Sequence, residues 1–255
     1  MNDKFFYPEP YAQSRCAVLS TVYGPVLCDR DSSEAASLFQ TGRALNAMDI
    51  TRLSLFLNRA PERGVCLDIG AGYGLFALTF ARALASKKGM CHAFEAQRLI
   101  SYMAAGTAVL NGMENLCIHN RSIGSSHDET PTAAERTQCS GTTNDSEVGS
   151  AQCLQFETAP QITLDSLKFR NVYLIRISVG GMEKAVLEGA QVTVMRDKPI
   201  LYIRADESNI DQLVGFCKCL EYQLYRFNNY FLCFHRTKLD EHDLLKKPVF
   251  ADILI

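Results

Sequence analysis

A closely spaced set of glycines follows a carboxylate near the end of a short apolar run, in the segment DIGAGYG at 68–74. Glycines reach backbone angles that are closed to other residues, and they let a ligand approach the main chain. A dinucleotide-binding turn would have the spacing G-x-G-x-x-G, with a pyrophosphate over a helix N-terminus. Here the third glycine comes one position early, and Asp68 would repel a pyrophosphate. The turn therefore favours a cationic or amine-bearing ligand.

A second carboxylate, Glu95, closes the next apolar run, MCHAF at 90–94. An acid at this place in an open parallel sheet accepts hydrogen bonds from ribose hydroxyls. S-adenosylmethionine carries both an amine and a ribose, so the two features together predict a site for that cofactor. Two alternatives remain open, a plain strand-to-helix connection and a nicotinamide or flavin site. The predicted cofactor-binding residues are Asp68, Gly70, Ala71, Gly72, Tyr73, Gly74, Glu95, Ala96 and Ser122.

Methyl transfer from a sulfonium is an in-line displacement. The protein has to align donor and acceptor, exclude water and, for a hydroxyl acceptor, remove a proton. Candidate bases near the ends of later strands are Glu183, Asp206, Glu207 and His119. Glu183 also has an ordinary interpretation, as a first-turn carboxylate favoured by the helix dipole. Arg176 and Arg204 would bind an anionic acceptor through their guanidinium groups, unless Arg176 pairs with a nearby acid.

The elements that would position these residues alternate between strand and helix. Apolar runs predict strands at 65–70, 90–94, 116–120, 172–177 and 199–203. Helical periodicity predicts helices at 75–85, 97–110, 182–191 and 211–219. This alternation predicts a parallel sheet covered on both faces and built from right-handed crossovers. Two further strands, 222–227 and 230–235, are joined through Asn228-Asn229 and predict an antiparallel hairpin at the end of the sheet.

The chain divides into a short N-terminal part and one larger domain. Residues 1–60 are predicted to form a cover segment, with a strand at 17–22, a turn at 23–25 and helices over 31–58 capped by Ser32 or Ser33. Residues 61–255 form the ligand-binding domain. Within it, residues 122–155 are rich in Ser, Thr, Gly, Asp and Glu, which predicts a flexible polar insertion. This insertion is either a plain solvated loop or a lid or partner-binding segment.

Composition narrows the function class. With a net charge of -2, the 255-residue chain has no global attraction for nucleic acid or anionic lipid. Its ten cysteines never form a C-x-x-C pair, so a zinc site is not expected, and their apolar neighbours indicate a reducing, cytoplasmic setting. No apolar stretch approaches the roughly 20 residues that a bilayer span requires. We therefore expect a soluble protein without a membrane or nucleic-acid partner.

The motifs resemble those of the FkbM family of class I S-adenosylmethionine-dependent methyltransferases over residues 23–204. CLDIGAGYGLF at 66–76 is similar to the family's VLDVGANIGYF, and HAFE at 92–95 to its VIAFEP segment. TLDSL at 163–167 matches the same letters in the family. RISVGGME at 176–183, followed by VLEGA at 186–190, is similar to its KIDVEGAE and VLxGA. Looser similarities are Tyr23-Gly24-Pro25 and the pair Gly42 and Asp49.

The resemblance implies a Rossmann-like class I methyltransferase fold. This is an α/β architecture with a mostly parallel seven-stranded sheet of order 3-2-1-4-5-7-6, helices on both faces and an antiparallel C-terminal hairpin. It also implies methyl transfer to oxygen, with acceptors such as sugars or natural-product hydroxyls. Among the base candidates, Glu183 is the one that matches a family position.

The sequence departs from the family where the chemistry should occur. Ser178 and Gly180 stand where the family has an aspartate and a glutamate, and Arg176 replaces its lysine. Arg204 occupies the place of an acid expected after the fifth strand. These changes predict an acceptor pocket that is less acidic than usual. They also argue against a bound metal, because hard cations prefer oxygen ligands.

The sequence thus predicts an S-adenosylmethionine-dependent methyltransferase that O-methylates a small-molecule or carbohydrate-like hydroxyl. The predicted catalytic residues are Glu183, Arg176 and Ser178. The alternative is a cofactor-binding pseudoenzyme, impaired by the lost carboxylates, that serves as an interaction or regulatory module. The glycine spacing disfavours an oxidoreductase. The expected partner is the small-molecule or glycan acceptor, and a homodimer is possible on this reading.

Overall fold

An antiparallel hairpin and two helices open the described part of the chain. The computed structural model describes residues 15–127, 132–133, 158–205, 209–227 and 229–238. The hairpin consists of β1 (Cys16–Thr21) and β2 (Gly24–Asp29), followed by α1 (Ser33–Thr41) and α2 (Ala47–Leu57). Of the two predicted caps, Ser32 is the N-cap of α1, because its hydroxyl accepts the Ala35 N–H. The sequence predicted the first strand and the helical region but not β2.

The first half of the sheet follows the predicted alternation of strand and helix. Its elements are β3 (Val65–Ile69), α3 (Leu75–Ala85), β4 (Met90–Phe94), α4 (Arg98–Leu110) and β5 (Leu116–His119). α3 begins directly after the predicted glycine turn, and α4 begins two residues after Ala96. The first crossover therefore places the glycine turn between β3 and α3, at the carboxyl end of an interior strand.

Short elements connect the two halves of the sheet. They are β6 (Ser122–Ile123), β7 (Thr132–Ala133), β8 (Thr158–Ala159), β9 (Gln161–Ile162) and a 3₁₀ helix (Leu164–Leu167). β6 pairs in parallel with β9, and Ser122 and Ile123 are buried. The first two residues of the predicted flexible insertion therefore belong to an ordered strand. Most of that insertion, at 128–131 and 134–155, lies outside the described residues.

The second half contains one departure from the predicted elements. It consists of β10 (Val172–Ile177), α5 (Glu183–Glu188), α6 (Gln191–Asp197), β11 (Ile200–Arg204), α7 (Ile210–Cys219), β12 (Tyr222–Phe227) and β13 (Tyr230–His235). The single helix predicted over 182–191 was wrong, because two short helices meet at Gly189. A Cβ on this glycine would clash with the carbonyl oxygen of Gly124, so the chain turns there against the loop after β6.

The seven-stranded sheet has the order β12-β13-β11-β10-β3-β4-β5. Counted along the chain within this sheet, the order is 3-2-1-4-5-7-6, as the resemblance implied. β3, β4, β5, β10 and β11 are mutually parallel, whereas β13 runs antiparallel to both β11 and β12. The fold class predicted from the sequence is therefore confirmed, including the C-terminal hairpin.

Two apolar clusters cover the two faces of this sheet. One includes the N-terminal hairpin, α2 and α3, with Phe56 and Phe80 fully buried. The other includes β6, α5, α6 and α7, which pack on the opposite face. Parallel strands buried on both faces need such layers on each side. Within the described ranges, no helix is long and apolar enough to cross a bilayer.

Candidate functional site

The glycine turn after β3 combines three left-handed backbone positions. Gly70, Gly72 and Gly74 have φ values of 80°, 55° and 81°, a region that favours glycine. A Cβ on Gly70 would clash with the carbonyl oxygen of Ser178, so the end of β10 also requires glycine there. At Gly72, in contrast, a Cβ would meet no atom within 4 Å. The turn is thus tightly packed at its start and open at its middle.

Glu95 is anchored to this turn through the main chain. Its Oε2 accepts the N–H of Gly72 at 2.9 Å, and its Oε1 accepts the N–H of Gln97 at 2.9 Å. Burial raises the pKa of this carboxyl, although the two backbone hydrogen bonds oppose the shift. Each carboxylate oxygen can accept more than one hydrogen bond. Glu95 is therefore held in place and keeps acceptor capacity for a ligand hydroxyl.

Asn120 fixes the backbone that carries Glu95. Its side-chain amide donates to the carbonyl oxygens of Glu95 and Ala96, at 2.9 and 3.0 Å. Phe94 contributes from the other side, because its carbonyl oxygen accepts the N–H groups of Gly70 and Ala71. The sequence analysis did not identify Asn120. An amide directly after the third strand was the available signal, since that position lies at the same sheet edge as Glu95.

Asp68 and Arg176 form a buried ion pair across β3 and β10. The guanidinium Nη1 lies 2.6 Å from Asp68 Oδ1 and 3.1 Å from the carbonyl oxygen of Gly70. It also stacks over the Phe76 ring at 4.1 Å. Asp68 is fully buried and Arg176 is 5% exposed. Arg176 thus takes the alternative role stated above, pairing with a nearby acid, and this geometry does not support direct recognition of an anionic acceptor.

The ion pair changes the electrostatic interpretation of the turn. Because Arg176 balances the charge of Asp68, that carboxylate repels a phosphate less than the sequence alone suggested. Asp68 Oδ2 and Arg176 Nε have no hydrogen-bond partner within the described residues. The Asp68 carboxylate is fully buried, so it stabilises the turn from the protein interior and does not line the open side at Gly72.

Glu183 is a fully buried carboxylate that holds the loop after β10. Its Oε1 accepts the N–H of Val179 at 3.2 Å, and its Oε2 accepts both the N–H of Gly181 and the Asn209 amide at 2.9 Å. A catalytic base needs an accessible lone pair directed at the reactant. With no exposed surface, Glu183 is a positioning residue in this conformation. The role predicted for it as a base is not supported by this geometry.

The loop that Glu183 holds presents glycines and a hydroxyl at the carboxyl edge of the sheet. Gly180 and Gly181 have φ values of 61° and 96°, and a Cβ at either position would meet nothing within 4 Å. Ser178 Oγ lies 3.4 Å from the Tyr230 hydroxyl. The loop therefore leaves open space beside the hydroxyl groups of Ser178 and Tyr230.

Tyr230 is a site residue that the sequence analysis missed. Its ring stacks on Tyr202 at 4.5 Å with an interplanar angle of 4°. It is the first residue of β13 and pairs with Arg204, the last residue of β11. Because β13 is antiparallel, its start lies where the parallel strands end. The hairpin topology was the signal that placed an aromatic hydroxyl at this edge.

The other predicted residues are dispersed. Tyr73 is half-buried, and burial raises the pKa of its hydroxyl. Ser122 is buried, and its N–H donates to the carbonyl of Pro160. His119 hydrogen-bonds to the His92 ring at 3.1 Å. Asp206 and Glu207 lie outside the described residues. Of the described residues named here, none adds a base to the β10 edge.

No metal centre is formed by the described residues, since they contain no group of three or more His, Cys, Asp or Glu side chains that would hold an ion.

Arg204 is half-buried at the end of β11, beside Tyr230. The edge between β10 and β13 is thus built from hydroxyls, glycine backbone and guanidinium groups.

Known structures share this fold. No family model matches the chain, and no curated protein does. The crystal structure of methyltransferase FkbM from Methylobacillus flagellatus KT is 16% identical, with a TM-score of 0.52. The match covers 69% of this chain but only 44% of that one, so this chain spans less than half the length of that protein. A SAM-dependent O-methyltransferase from Thermotoga maritima is 12% identical over 86% of this chain and 77% of that one, with a TM-score of 0.49. The similarity to the FkbM structure shows a methyltransferase fold.

Proposed function

We propose that this protein is an S-adenosylmethionine-dependent methyltransferase that methylates a hydroxyl of a small-molecule or carbohydrate-like acceptor. The observation that carries the proposal is the anchoring of Glu95 to the open glycine of the β3 turn. Ligands of open α/β sheets bind outside the carboxyl ends of the strands. Glu95 and Gly72 lie at that edge of a methyltransferase-type sheet, so a ribose acceptor and a ligand-accessible backbone occur together.

The residues present fit this cofactor. Glu95 would accept the ribose hydroxyls, and Gly72 leaves space for the ligand to approach the main chain. Ala96 and Ser122 are proposed to complete the same pocket. The buried pair of Asp68 and Arg176 stabilises the turn from the protein interior. Bound there, S-adenosylmethionine would supply an electrophilic methyl group.

A dinucleotide fits the turn less well. The balanced charge of Asp68 removes part of the argument against a pyrophosphate. The spacing of the glycines is the remaining one, because the third glycine caps α3 one residue earlier than in the dinucleotide fingerprint. We therefore treat a nicotinamide cofactor as the competing ligand to be tested.

On the acceptor side, the chain supplies positioning more clearly than proton transfer. Ser178 and Tyr230 offer hydroxyls to an acceptor, and the loop at Gly180 and Gly181 leaves room for it. Correct alignment alone lowers the barrier of an in-line displacement. We propose that Glu183 acts by holding this loop and that Arg176 acts by holding Asp68.

The pseudoenzyme remains the second candidate because a specific observation favours it. The Glu183 carboxylate, which matches a position of the resembled family, already accepts hydrogen bonds from backbone N–H groups and from the Asn209 amide. Ser178 and Gly180 stand where that family has two further acids. A protein of this kind would bind the cofactor without transferring the methyl group. Binding and turnover therefore have to be measured separately.

Calorimetric titration with S-adenosylmethionine, S-adenosylhomocysteine and NAD tests the cofactor. Gly72→Asp would project a side chain into the open part of the turn and should abolish binding. Gly112→Asp is the matched control, because Gly112 has a similar φ of 62° and a Cβ there also meets no atom within 4 Å. Binding of both sulfur compounds that Gly72→Asp loses and Gly112→Asp retains supports the proposal. Binding of NAD alone, or of none of the three, would contradict it.

Transfer of labelled methyl groups to a panel of alcohols, sugars and phenols separates the two candidates. Product formation that requires the bound cofactor supports the methyltransferase. Tight cofactor binding without transfer to any member of the panel favours the pseudoenzyme. Ser178→Ala removes a hydroxyl at the edge where the acceptor is proposed to bind. This variant should lower turnover while leaving cofactor affinity unchanged.

A further inference from the structure

The outward face of α4 is unusually apolar. Four large side chains are exposed along it, with exposed fractions of 49% for Leu99, 57% for Tyr102, 79% for Val109 and 47% for Leu110. The helix sequence RLISYMAAGTAVL contains one charged residue, Arg98. A surface helix normally directs charged and polar groups to solvent. Contiguous exposed apolar surface on a folded protein indicates a place where another molecule binds.

The N-terminal hairpin extends this surface. The side chain of Leu27 packs against Gly106, where a Cβ would lie 2.7 Å from it, and the Leu27 N–H donates to Thr107 Oγ1. Val18 pairs with Leu27 across the hairpin and is 43% exposed. We call the surface formed by Val18, Leu27, Leu99, Tyr102, Val109 and Leu110 the α4 face. This surface spans α4 and the N-terminal hairpin, which are hydrogen-bonded to each other.

We propose that the α4 face binds a second copy of this chain, with the two α4 helices packed antiparallel about a two-fold axis. The apolar residues lie on both sides of Ala105 and Gly106, near the middle of the helix. An antiparallel pair centred there sets Tyr102 of each copy near Val109 of the other. The small side chain of Ala105 lets the helices approach closely. A two-fold contact of this kind is self-complementary, as a homodimer requires.

Charge favours this arrangement over a parallel one. Arg98 starts α4, and the exposed Glu114 follows its end. In an antiparallel pair, Arg98 of one copy comes near Glu114 and the negative end of the helix dipole of the other. A parallel pair would bring like charges together. A lipid surface is the poorer fit, because membrane-binding helices carry several basic residues beside their apolar face and α4 carries one.

One face of α4 is too small for a stable dimer interface, so the proposed contact also includes the hairpin. A helix of 13 residues is about 20 Å long. Stable interfaces bury about 800 Å² on each partner, which one face of such a helix does not supply. Val18 and Leu27 enlarge the apolar surface on the side where β2 lies against α4. The proposal therefore requires both elements, and it does not depend on the identity of the cofactor.

Sedimentation velocity over a range of protein concentrations tests the dimer. Wild type should sediment as a dimer, and Val109→Asp should shift it to monomer. Val192→Asp on α6 is the matched control, because Val192 is 63% exposed on a different helix, and it should remain dimeric. A monomeric wild type, or dissociation by the control to the same extent as by Val109→Asp, would overturn the proposal. So would a monomer that co-sediments with phosphatidylcholine vesicles.

Charge reversal tests the orientation. Arg98→Glu and Glu114→Arg should each raise the dissociation constant severalfold, and the double variant should restore it, because each new charge meets its opposite on the other copy. Arg98 also lies over the Tyr102 ring at 5.8 Å, so thermal unfolding of each variant checks that the fold is retained. Single variants that weaken the dimer with no recovery in the double variant would rule out the antiparallel pairing.

Discussion

The Asp68 and Arg176 pair is the residue-scale feature on which the site depends. Its charges are 108 positions apart in sequence and lie in adjacent strands, at register partners of β3 and β10. Removing both charges from water has a high desolvation cost, and mutual attraction offsets that cost only when the geometry is good. The pair therefore matters most for what happens when one partner is lost.

We predict that Arg176→Ala destabilises the protein by about 3–5 kcal/mol, since it leaves the Asp68 carboxylate buried without its partner. The double variant Asp68→Asn, Arg176→Met should recover most of this loss. Urea unfolding measures both. Arg196→Ala is the control, because its pair with Asp197 is partly exposed and should contribute less than about 1 kcal/mol. Equal losses from Arg176→Ala and Arg196→Ala would show that the buried pair has no special role.

Glu95 gives a pH dependence to cofactor binding. Burial raises the pKa of its carboxyl, and the ionised form accepts hydrogen bonds from ribose hydroxyls more strongly than the protonated form. Affinity should therefore be constant near neutral pH and fall as the pH approaches this raised pKa, at higher pH than for an exposed glutamate. Glu95→Gln should bind more weakly and lose the acid-dependent decline. Titrations between about pH 5 and 7 check this, within the range where the cofactor's α-amino and α-carboxyl groups keep their charge.

Glu188→Gln is the control for that titration, because the exposed Glu188 pairs with Lys184 on the surface of α5. It should reproduce the wild-type affinity and its decline. A decline that persists in Glu95→Gln would assign the titrating group elsewhere.

At the scale of single elements, the junction between α5 and α6 shows a motif acting structurally. Asp165, in the TLDSL segment, accepts the N–H groups of Val192 and Thr193 at 2.9 and 2.8 Å, together with the Thr193 hydroxyl. It thus caps the start of α6 from the 3₁₀ helix. This capping explains why a helix begins at Gln191 instead of continuing from α5.

Asp165→Ala should lower the free energy of unfolding by about 1–2 kcal/mol, the range measured for lost N-terminal caps. Denaturant titration measures the change. Ser166→Ala is the neighbouring control, since that exposed hydroxyl bonds only within its own turn, to the carbonyl of Thr163. A cap variant as stable as the Ser166 variant would contradict the role given to Asp165.

These elements also show how far sequence reasoning extends. The sequence predicted β3, α3, β4 and α4 because each of these elements has its own pattern of apolar residues. Glu95 was predictable for the same reason, since it directly follows a strand. The capping by Asp165, the bonding of Glu183 to Asn209 and the approach of Tyr230 to Ser178 join residues that are far apart in the chain. No local pattern encodes such partners, so these roles required the structure.

On the scale of the whole molecule, the N-terminal elements form one core with the sheet. Arg82 of α3 donates to the carbonyl oxygen of Tyr23, and Asn111 donates to that of Pro25 at 2.7 Å. A Cβ on Gly24 would clash with Asn111, which accounts for the glycine in this turn. The segment predicted to cover the sheet thus contributes buried residues, such as Leu19 and Phe56, to the same cluster as Phe80.

Global stability should decrease in mild acid because of the histidine pair on β4 and β5. Burial lowers the pKa of His92 to about 4, and it also lowers that of His119. Between about pH 6.5 and 4 the unfolded chain takes up protons that the folded chain does not, so stability is lost as the pH falls through this window. Unfolding midpoints in urea from pH 7.5 to 5 should decline less steeply for His92→Gln than for wild type. Replacing the exposed Ser166 by Ala changes no titratable group, so it should leave the slope unchanged.

The position of β10 has a consequence for how the chain folds during synthesis. β3, β4 and β5 emerge from the ribosome first, but the slot beside β3 stays empty until residues 172–177 follow, more than a hundred positions after the strand they pair with. Until then the nascent half-sheet exposes the unpaired edge of β3 and a hydrated Asp68, a condition that favours aggregation. We expect ribosome-bound chains stalled before residue 172 to be protease-sensitive across β3, and chains stalled well after residue 204 to be protected. Protection before β10 has emerged would contradict this order. The buried ion pair can therefore form only in the second half of synthesis, when β10 takes its place between β3 and the strands that follow it.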